Sequence, residues 1–204
     1  MVEKPVFHNK QEIDLWKKLS SRSWRSDEQL TEFLDSVLSR QGAVGSAVLV
    51  GCIDAAVARK LPNRKDIMVK LAAKSRPNDS LPSLTAASAL IDMGEYDDAD
   101  SLVTKVRGRN IPFQCCVRAK LDLARGDNDS ARKNLTRARC SDTSFPMFYE
   151  LMEKIDPAGG WMHRRNIELV ANGREPIPFG DVAGDSMPKA LFSIYADWFG
   201  GRRE

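Results

Sequence analysis

The chain has 204 residues, of which 42% are hydrophobic and 29% are charged, and its formal net charge is +3. This composition is typical of a soluble globular protein, and the small basic excess falls short of the clustered charge of a dedicated nucleic-acid binder. The longest apolar run, residues 43–58, contains Asp54 and is too short to span a bilayer, and the polar N-terminal stretch lacks a signal-peptide core. We therefore predict a soluble, cytoplasmic protein.

The cysteines and histidines do not form a metal-binding pattern. No Cys-x-x-Cys pair is present, and neither His8 nor His163 has a cysteine or carboxylate at ligand spacing. His163 belongs with Arg164 and Arg165 to a predicted solvated helix face. We predict no metal and no cofactor, and we expect the thiols to be buried and reduced; they are Cys52, Cys115, Cys116 and Cys140.

The first 41 residues predict two helices. Residues 11–21 carry a rough apolar stripe, and Ser26 with Gln29 forms a capping box at the start of a second helix. Apolar residues at helical spacing follow over residues 30–38, and Gly42 suits the end of that helix. This part of the sequence is predicted to be a divergent N-terminal helical pair, residues 1–41.

Two further helices are predicted before a clear loop. Residues 45–60, "GSAVLVGCIDAAVARK", are rich in small residues, and their length and alanine-rich end favour a closely packed helix over a buried strand. Residues 63–74 predict the next helix. The segment "SRPNDSLP" has the Pro, Asn, Asp and Ser composition of a loop.

A helical hairpin then occurs twice. Residues 89–106, "ALIDMGEYDDADSLVTKV", and residues 119–138, "AKLDLARGDNDSARKNLTRA", align with an offset of 32 that pairs Gly94 with Gly126 and Ala99 with Ala131. Glycine reaches the positive φ that ends the first helix, and alanine lets the second helix approach closely. A single hairpin cannot bury its apolar face, so the duplication predicts a stack of hairpins.

This pattern resembles the tetratricopeptide-repeat family. Gly94, Tyr96 and Ala99 fit the family's Gly-x-Tyr-x-x-Ala turn, whereas Asn128 replaces the aromatic residue in the next unit and Asp122 replaces a large one. The resemblance implies an all-α, right-handed superhelix of antiparallel helical hairpins, a TPR-like α-solenoid. Residues 42–173 would be the repeats, and residues 174–204 would be a loop and a C-terminal capping helix, within a single domain overall.

The resemblance also implies a function. In such arrays the first helices of the hairpins line a concave groove, and this chain would be a non-catalytic scaffold or adaptor that binds a protein or peptide segment there. No cofactor or membrane is expected, and a homo-oligomer is a further option. By register, the predicted partner-binding residues are Val50, Asp54, Thr85, Ser88, Asp92, Cys116, Val117 and Lys120.

Two alternatives remain open from the sequence. The basic residues of the second repeat could form an outer nucleic-acid-binding face, although aromatic residues for base stacking are not interleaved with them; they include Arg132, Lys133 and Arg137. Ser186 and Lys189 match the Ser-x-x-Lys spacing of some serine hydrolases, but the companion motifs are missing, and Ser186 is better interpreted as a helix N-cap.

Overall fold

The computed structural model describes residues 10–21, 24–106, 111–139 and 146–161, together with Arg164, Arg165 and Ile167. The described residues contain no strand, which confirms the all-α prediction for that part of the chain. The helices are α1 Lys10–Ser20, α2 Asp27–Leu38, α3 Ser46–Ala58, α4 Arg64–Ala73, α5 Leu81–Asp92, α6 Tyr96–Lys105, α7 Ile111–Ala124, α8 Asn128–Arg139 and α9 Pro146–Ile155. A 3₁₀ helix, Pro157–Gly159, follows α9.

The described helices belong to two compact units, with the division between Asn110 and Ile111. The first unit contains α1 to α6, and the second contains α7 to α9 with the 3₁₀ helix. Helix α1, from the predicted N-terminal pair, packs against α3 within the first unit. The predicted boundary at 173/174 and the predicted capping helix lie outside the described residues.

Local sequence signals set the helix boundaries in the first unit. Ser26 caps α2, with its hydroxyl accepting from the Gln29 backbone N–H at 3.3 Å, and the Gln29 side chain accepts from the Arg25 N–H at 3.1 Å. The predicted capping box is therefore present, with the return bond one residue earlier than the motif requires. Residues 46–58 form a helix, as their small side chains predicted, and its interior residues are almost all buried.

The two matching hairpins, α5–α6 and α7–α8, have the same turn. Gly94 and Gly126 have φ of +80° and +81°. After Gly94, the Glu95 N–H donates to the Leu90 carbonyl at 2.9 Å; after Gly126, the Asp127 N–H donates to the Asp122 carbonyl at 2.8 Å. These bonds satisfy the free carbonyls at the end of the first helix, as a left-handed glycine allows. Ala99 and Ala131 are both fully buried, so the predicted equivalence of the hairpins is confirmed at the level of the turn.

A third copy of this turn lies between α3 and α4, where the sequence has no glycine. Lys60 has a φ of +53°, and the following Leu61 N–H donates to the Ala56 carbonyl at 3.2 Å. The Lys60 N–H donates to the Val57 carbonyl at 3.0 Å, as the Gly94 N–H does to Ile91 at 3.0 Å. Lysine therefore takes the position that glycine has in the other hairpins, although a residue with a Cβ is disfavoured there.

Within the first unit, successive hairpins pack through their helices. Helix α5 contacts α3, α4 and α6. At the edge of this packing, the Lys65 amino group at the start of α4 lies 2.6 Å from the Glu95 carboxylate and 2.7 Å from that of Asp98. These two hydrogen-bonded carboxylates, Asp98 first, raise the pKa of Lys65.

In the second unit, α9 contacts both α7 and α8. Asp122, where the repeat pattern expects a large residue, accepts a hydrogen bond from the Asn134 amide at 2.8 Å and so joins α7 to α8. Arg165 is only 7% exposed and lies 3.9 Å from the Glu150 carboxylate, so the predicted solvated face is wrong for this residue. Arg164 is exposed and stacks over the Trp161 ring at 4.7 Å, and His163 lies outside the described residues.

None of the helices in the described ranges is long and apolar enough to cross a membrane.

Candidate partner-binding face

Helices α1, α3 and α5 lie in a row in the first unit, with their N-terminal ends together. Near the start of α1, the Glu12 carboxylate accepts from the Gly45 N–H at 3.1 Å, directly before α3 begins. At the other side, the Ser46 hydroxyl donates to Asp79, whose second oxygen accepts from the Leu81 N–H at 3.3 Å at the start of α5. These two contacts hold the N-terminal ends of the three helices together.

Small residues of α3 allow α1 to approach closely. A Cβ at Gly51 would lie 3.1 Å from Leu19 Cδ1 and 3.4 Å from the Trp16 ring. Both distances are at or below ordinary van der Waals contact, so a larger side chain at Gly51 would push α1 away. Gly51 was one of the small residues that predicted a closely packed helix, and the close neighbour on this side is α1.

The row of helices carries a small apolar cluster separate from most of the buried core. Ala47 and Val50 are buried beneath Trp16 of α1 and Leu81 of α5, which are themselves partly exposed. We call the surface formed by Trp16, Ala47, Val50 and Leu81 the first-helix face, because these residues lie on α1 and on the first helix of two successive hairpins. It partly exposes a tryptophan and a leucine, both of which pack against the cluster of Ala47 and Val50.

Asp54 lies one turn after Val50 and Gly51 on the same stripe of α3. It is 6% exposed, and within the described part of the chain neither of its carboxylate oxygens has a hydrogen-bond partner. Desolvation raises the pKa of Asp54 to about 8. Of the carboxyl groups on α1 and α5, Glu12 contacts Gly45, and Asp14 and Asp92 are exposed.

The other predicted binding residues of the first unit lie on α5. Thr85 and Ser88 are 1% and 0% exposed, whereas Asp92 is exposed. Their spacing on α5 places all three on one stripe with Leu81. Burial of Thr85 and Ser88 means that a partner bound to this helix would contact Asp92 and Leu81 directly and the other two only after a rearrangement.

The remaining three predicted residues lie in the second unit, on α7. Cys116 and Val117 are fully buried, and Lys120 is partly exposed. Lys120 is thus the residue of this group that can meet a partner without a change in packing.

The predicted burial of the thiols is confirmed for three cysteines. Cys52, Cys115 and Cys116 are free and buried, while Cys140 lies outside the described residues. Burial raises the pKa of Cys116 to about 12. Burial also raises the pKa of Cys52, and the nearby Asp54 carboxyl group raises it further. These thiols are therefore protonated at neutral pH and poor nucleophiles.

A polar cleft of about 350 Å³ lies beside the row, between α1 and the end of α2. Within it, the Arg40 guanidinium donates to the Gln11 side chain at 3.2 Å, and Glu12 is held by Gly45. These hydrogen bonds connect α1 to Arg40 and to Gly45, so the cleft lies where α1 is attached to the segment before α3.

The residues behind the two alternative functions are placed as follows. Arg132, Lys133 and Arg137 lie on the exposed side of α8, together with Asp129. Ser186 lies outside the described residues. No group of three His, Cys, Asp or Glu side chains suited to a metal ion occurs among the residues that were described.

Trp16 and Leu81 are the surface residues that the sequence interpretation left out of the binding face. Trp16 was visible as part of the apolar stripe of α1, but its position over Val50 depends on the packing of α1 against α3.

Comparison of this chain with protein-family models, with curated proteins and with solved structures found no match.

Proposed function

We propose that this protein is a non-catalytic protein–protein interaction module, a scaffold or adaptor of the TPR-like superhelical type, that binds a helical segment of a partner. The observation that carries the proposal is the first-helix face, where Trp16 and Leu81 are only partly covered above Ala47 and Val50. A partly exposed indole beside an aliphatic side chain is a favourable anchor for the apolar stripe of a helix. A cytoplasmic location belongs to the same proposal.

Three features of the first unit support this interpretation. The two matching turns, at Lys60 and Gly94, provide two hairpins of the same kind. The first helix of one, α3, packs against α1, and the first helix of the other, α5, packs against α3. The residues predicted to line the groove on α3 and α5 share the stripes of this row. Asp92, another residue predicted to line the groove, is exposed at the opposite end of α5 from Leu81.

The proposal can be tested by selecting 16-residue peptides from a phage-displayed library on the full-length chain. We expect enriched peptides whose binding is weakened at least tenfold by Trp16→Glu. The matched control is Ile13→Glu on the same helix, since Ile13 is 37% exposed and is not part of the cluster. Enriched peptides that bind both variants equally well, or a library without enrichment, would contradict the proposal.

A second candidate function is nucleic-acid binding through α8, favoured by the exposed cations Arg132, Lys133 and Arg137. It predicts retention on RNA that falls steeply with salt and is lost when the three residues are replaced by glutamine. Retention that is unchanged in this triple variant would contradict it.

A further inference from the structure

Helix α1 is the least buried of the three helices that form the first-helix face. Three of its eleven residues are buried, and one of these, Glu12, carries a carboxylate. Helix α3 buries eight of its thirteen residues, and α5 buries nine of its twelve. A short helix is stable mainly through the apolar surface that it buries against its neighbours, so α1 is the most weakly attached of the three.

Helix α1 is held mainly by α3 and by the segment that precedes α3. Its apolar side packs against Gly51, and Glu12 accepts from the Gly45 N–H at 3.1 Å. On the side of α2, the N-terminal half of α1 borders the polar cleft of about 350 Å³. Arg40 and Gln11 line this cleft and share an exposed hydrogen bond at 3.2 Å. Because a polar cleft takes the place of apolar packing there, the position of α1 depends on α3.

The segments around α1 have attachments of their own. After α1, the Trp24 carbonyl accepts from the Arg59 guanidinium at the end of α3, and the Trp24 ring lies 4.8 Å from the Phe33 ring of α2. Before α3, the Val44 N–H donates to the Lys74 carbonyl at 3.1 Å. None of these contacts involves α1, so α2 and the start of α3 stay in place when α1 leaves.

We propose that α1 is a detachable wall of the first-helix face, which undocks from α3 while the rest of the first unit stays folded, and that partners bind only the docked state. This inference rests on the proposed function, because α1 carries Trp16, which the face requires. Undocking separates Trp16 from Val50 and Leu81 and so divides the face. A partner that contacts Trp16 therefore stabilises the docked state, and a change that loosens α1 lowers the partner's affinity.

The contact at Gly51 allows α1 to be locked in the docked state. A Cβ at Gly51 would lie 3.9 Å from the Leu19 Cβ, within the separation of about 3.5–4.5 Å that a disulfide requires. Leu19→Cys combined with Gly51→Cys therefore provides a crosslink between α1 and α3 that a reductant removes. In the reduced form, the buried Leu19 side chain is lost, so α1 undocks more readily than in the wild type.

The first measurement is amide hydrogen exchange, which requires no partner. In the wild type, we expect protection factors in α1 that are roughly tenfold or more below those of α5, because undocking exposes α1 alone. In the double variant, oxidation should slow exchange in α1 roughly tenfold or more and change α5 much less. Equal protection of α1 and α5 in the wild type, or equal slowing of both on oxidation, would overturn the inference. A double variant that does not form the disulfide would also overturn it.

The second measurement is the affinity of the peptides selected on the full-length chain, determined by fluorescence anisotropy with and without reductant. Trp16 is present in both forms. We expect the reduced double variant to bind at least fivefold more weakly than the oxidised one, and the affinity of the wild type to be independent of reductant. Leu19→Cys alone, which should not respond to reductant, controls for pairing with the native Cys52. Leu15→Ala removes a buried side chain of α1 outside the face and should also speed α1 exchange and weaken binding.

The outcomes separate this inference from the proposed function. Peptides that depend on Trp16 but bind the oxidised and reduced double variants equally would overturn the role of α1 and leave the binding face intact. Peptides that bind equally well to Trp16→Glu would overturn the proposed function, whereas the exchange measurement would still decide whether α1 undocks.

Discussion

Replacing Asp54 by asparagine should stabilise the protein, and the gain should depend on pH. Asparagine has nearly the same shape but cannot ionise. The folded chain keeps Asp54 protonated up to a pKa of about 8, whereas the unfolded chain loses the proton near the ordinary aspartate pKa of 3.8. Between these values the unfolded state binds fewer protons, so folding stability falls as pH rises. Each pKa unit is worth about 1.4 kcal/mol, and the full effect is on the order of 5 kcal/mol.

The measurement is urea denaturation of the wild type and of Asp54→Asn, followed by far-UV circular dichroism from pH 4.5 to pH 9. Other groups titrate in both proteins, so the difference between the two free energies of unfolding isolates Asp54. We expect a difference within about 1 kcal/mol at pH 4.5, where both side chains are neutral in the folded proteins, and a gain of roughly 3–5 kcal/mol for the variant at pH 8.5. The same comparison for the exposed Asp66→Asn should show no gain of this size.

Two results would refute the reasoning. A difference that stays constant from pH 5 to pH 8 would mean that the pKa of Asp54 is not raised by burial. A variant that is less stable than the wild type at pH 8.5 would mean that the ionised carboxylate has donors in the folded protein.

Three further predictions concern the turns, the α1 contact and the ion pairs. Gly94→Ala should destabilise the protein by about 1 kcal/mol and Lys60→Gly should stabilise it by roughly 0.5–1 kcal/mol, since both positions have positive φ. A higher melting temperature for Gly94→Ala, or a lower one for Lys60→Gly, would contradict the shared turn. Gly51→Leu should destabilise by about 1–3 kcal/mol and speed amide hydrogen exchange in α1, because its side chain meets Leu19; unchanged exchange would show that α1 is not held there. Lys65→Met should lower the melting temperature slightly at low salt, and the difference should vanish in 1 M NaCl; a difference unaffected by salt would exclude a charge effect.

The sequence predicted the hairpins best where the backbone requires a particular residue. Gly94 and Gly126 mark their turns because glycine adopts positive φ without cost, and Ala99 and Ala131 mark the close helix contacts. The turn at Lys60 has the same hydrogen bonds, but lysine carries no signal for a left-handed conformation. The positive φ of Lys60 and the bond from the Leu61 N–H to the Ala56 carbonyl reveal the turn in the structure.

The candidate face was predicted less completely. Helical spacing placed Val50 and Asp54 on one stripe of α3, and Thr85 and Ser88 on one stripe of α5. Spacing identifies which residues share a side of a helix, but it does not show which neighbouring helix covers that side. The burial of Thr85 and Ser88 and the position of Trp16 over Val50 depend on packing between distant segments, so only the coordinates could show them.

The most direct test of the central claim is to map where a selected peptide binds on the ¹⁵N-labelled, full-length chain by NMR titration. Our account predicts that the largest amide shifts fall on α1, α3 and α5, around Trp16, Val50 and Leu81, and that Trp16→Glu abolishes them. Shifts concentrated on α8, with those three helices unaffected, would contradict it.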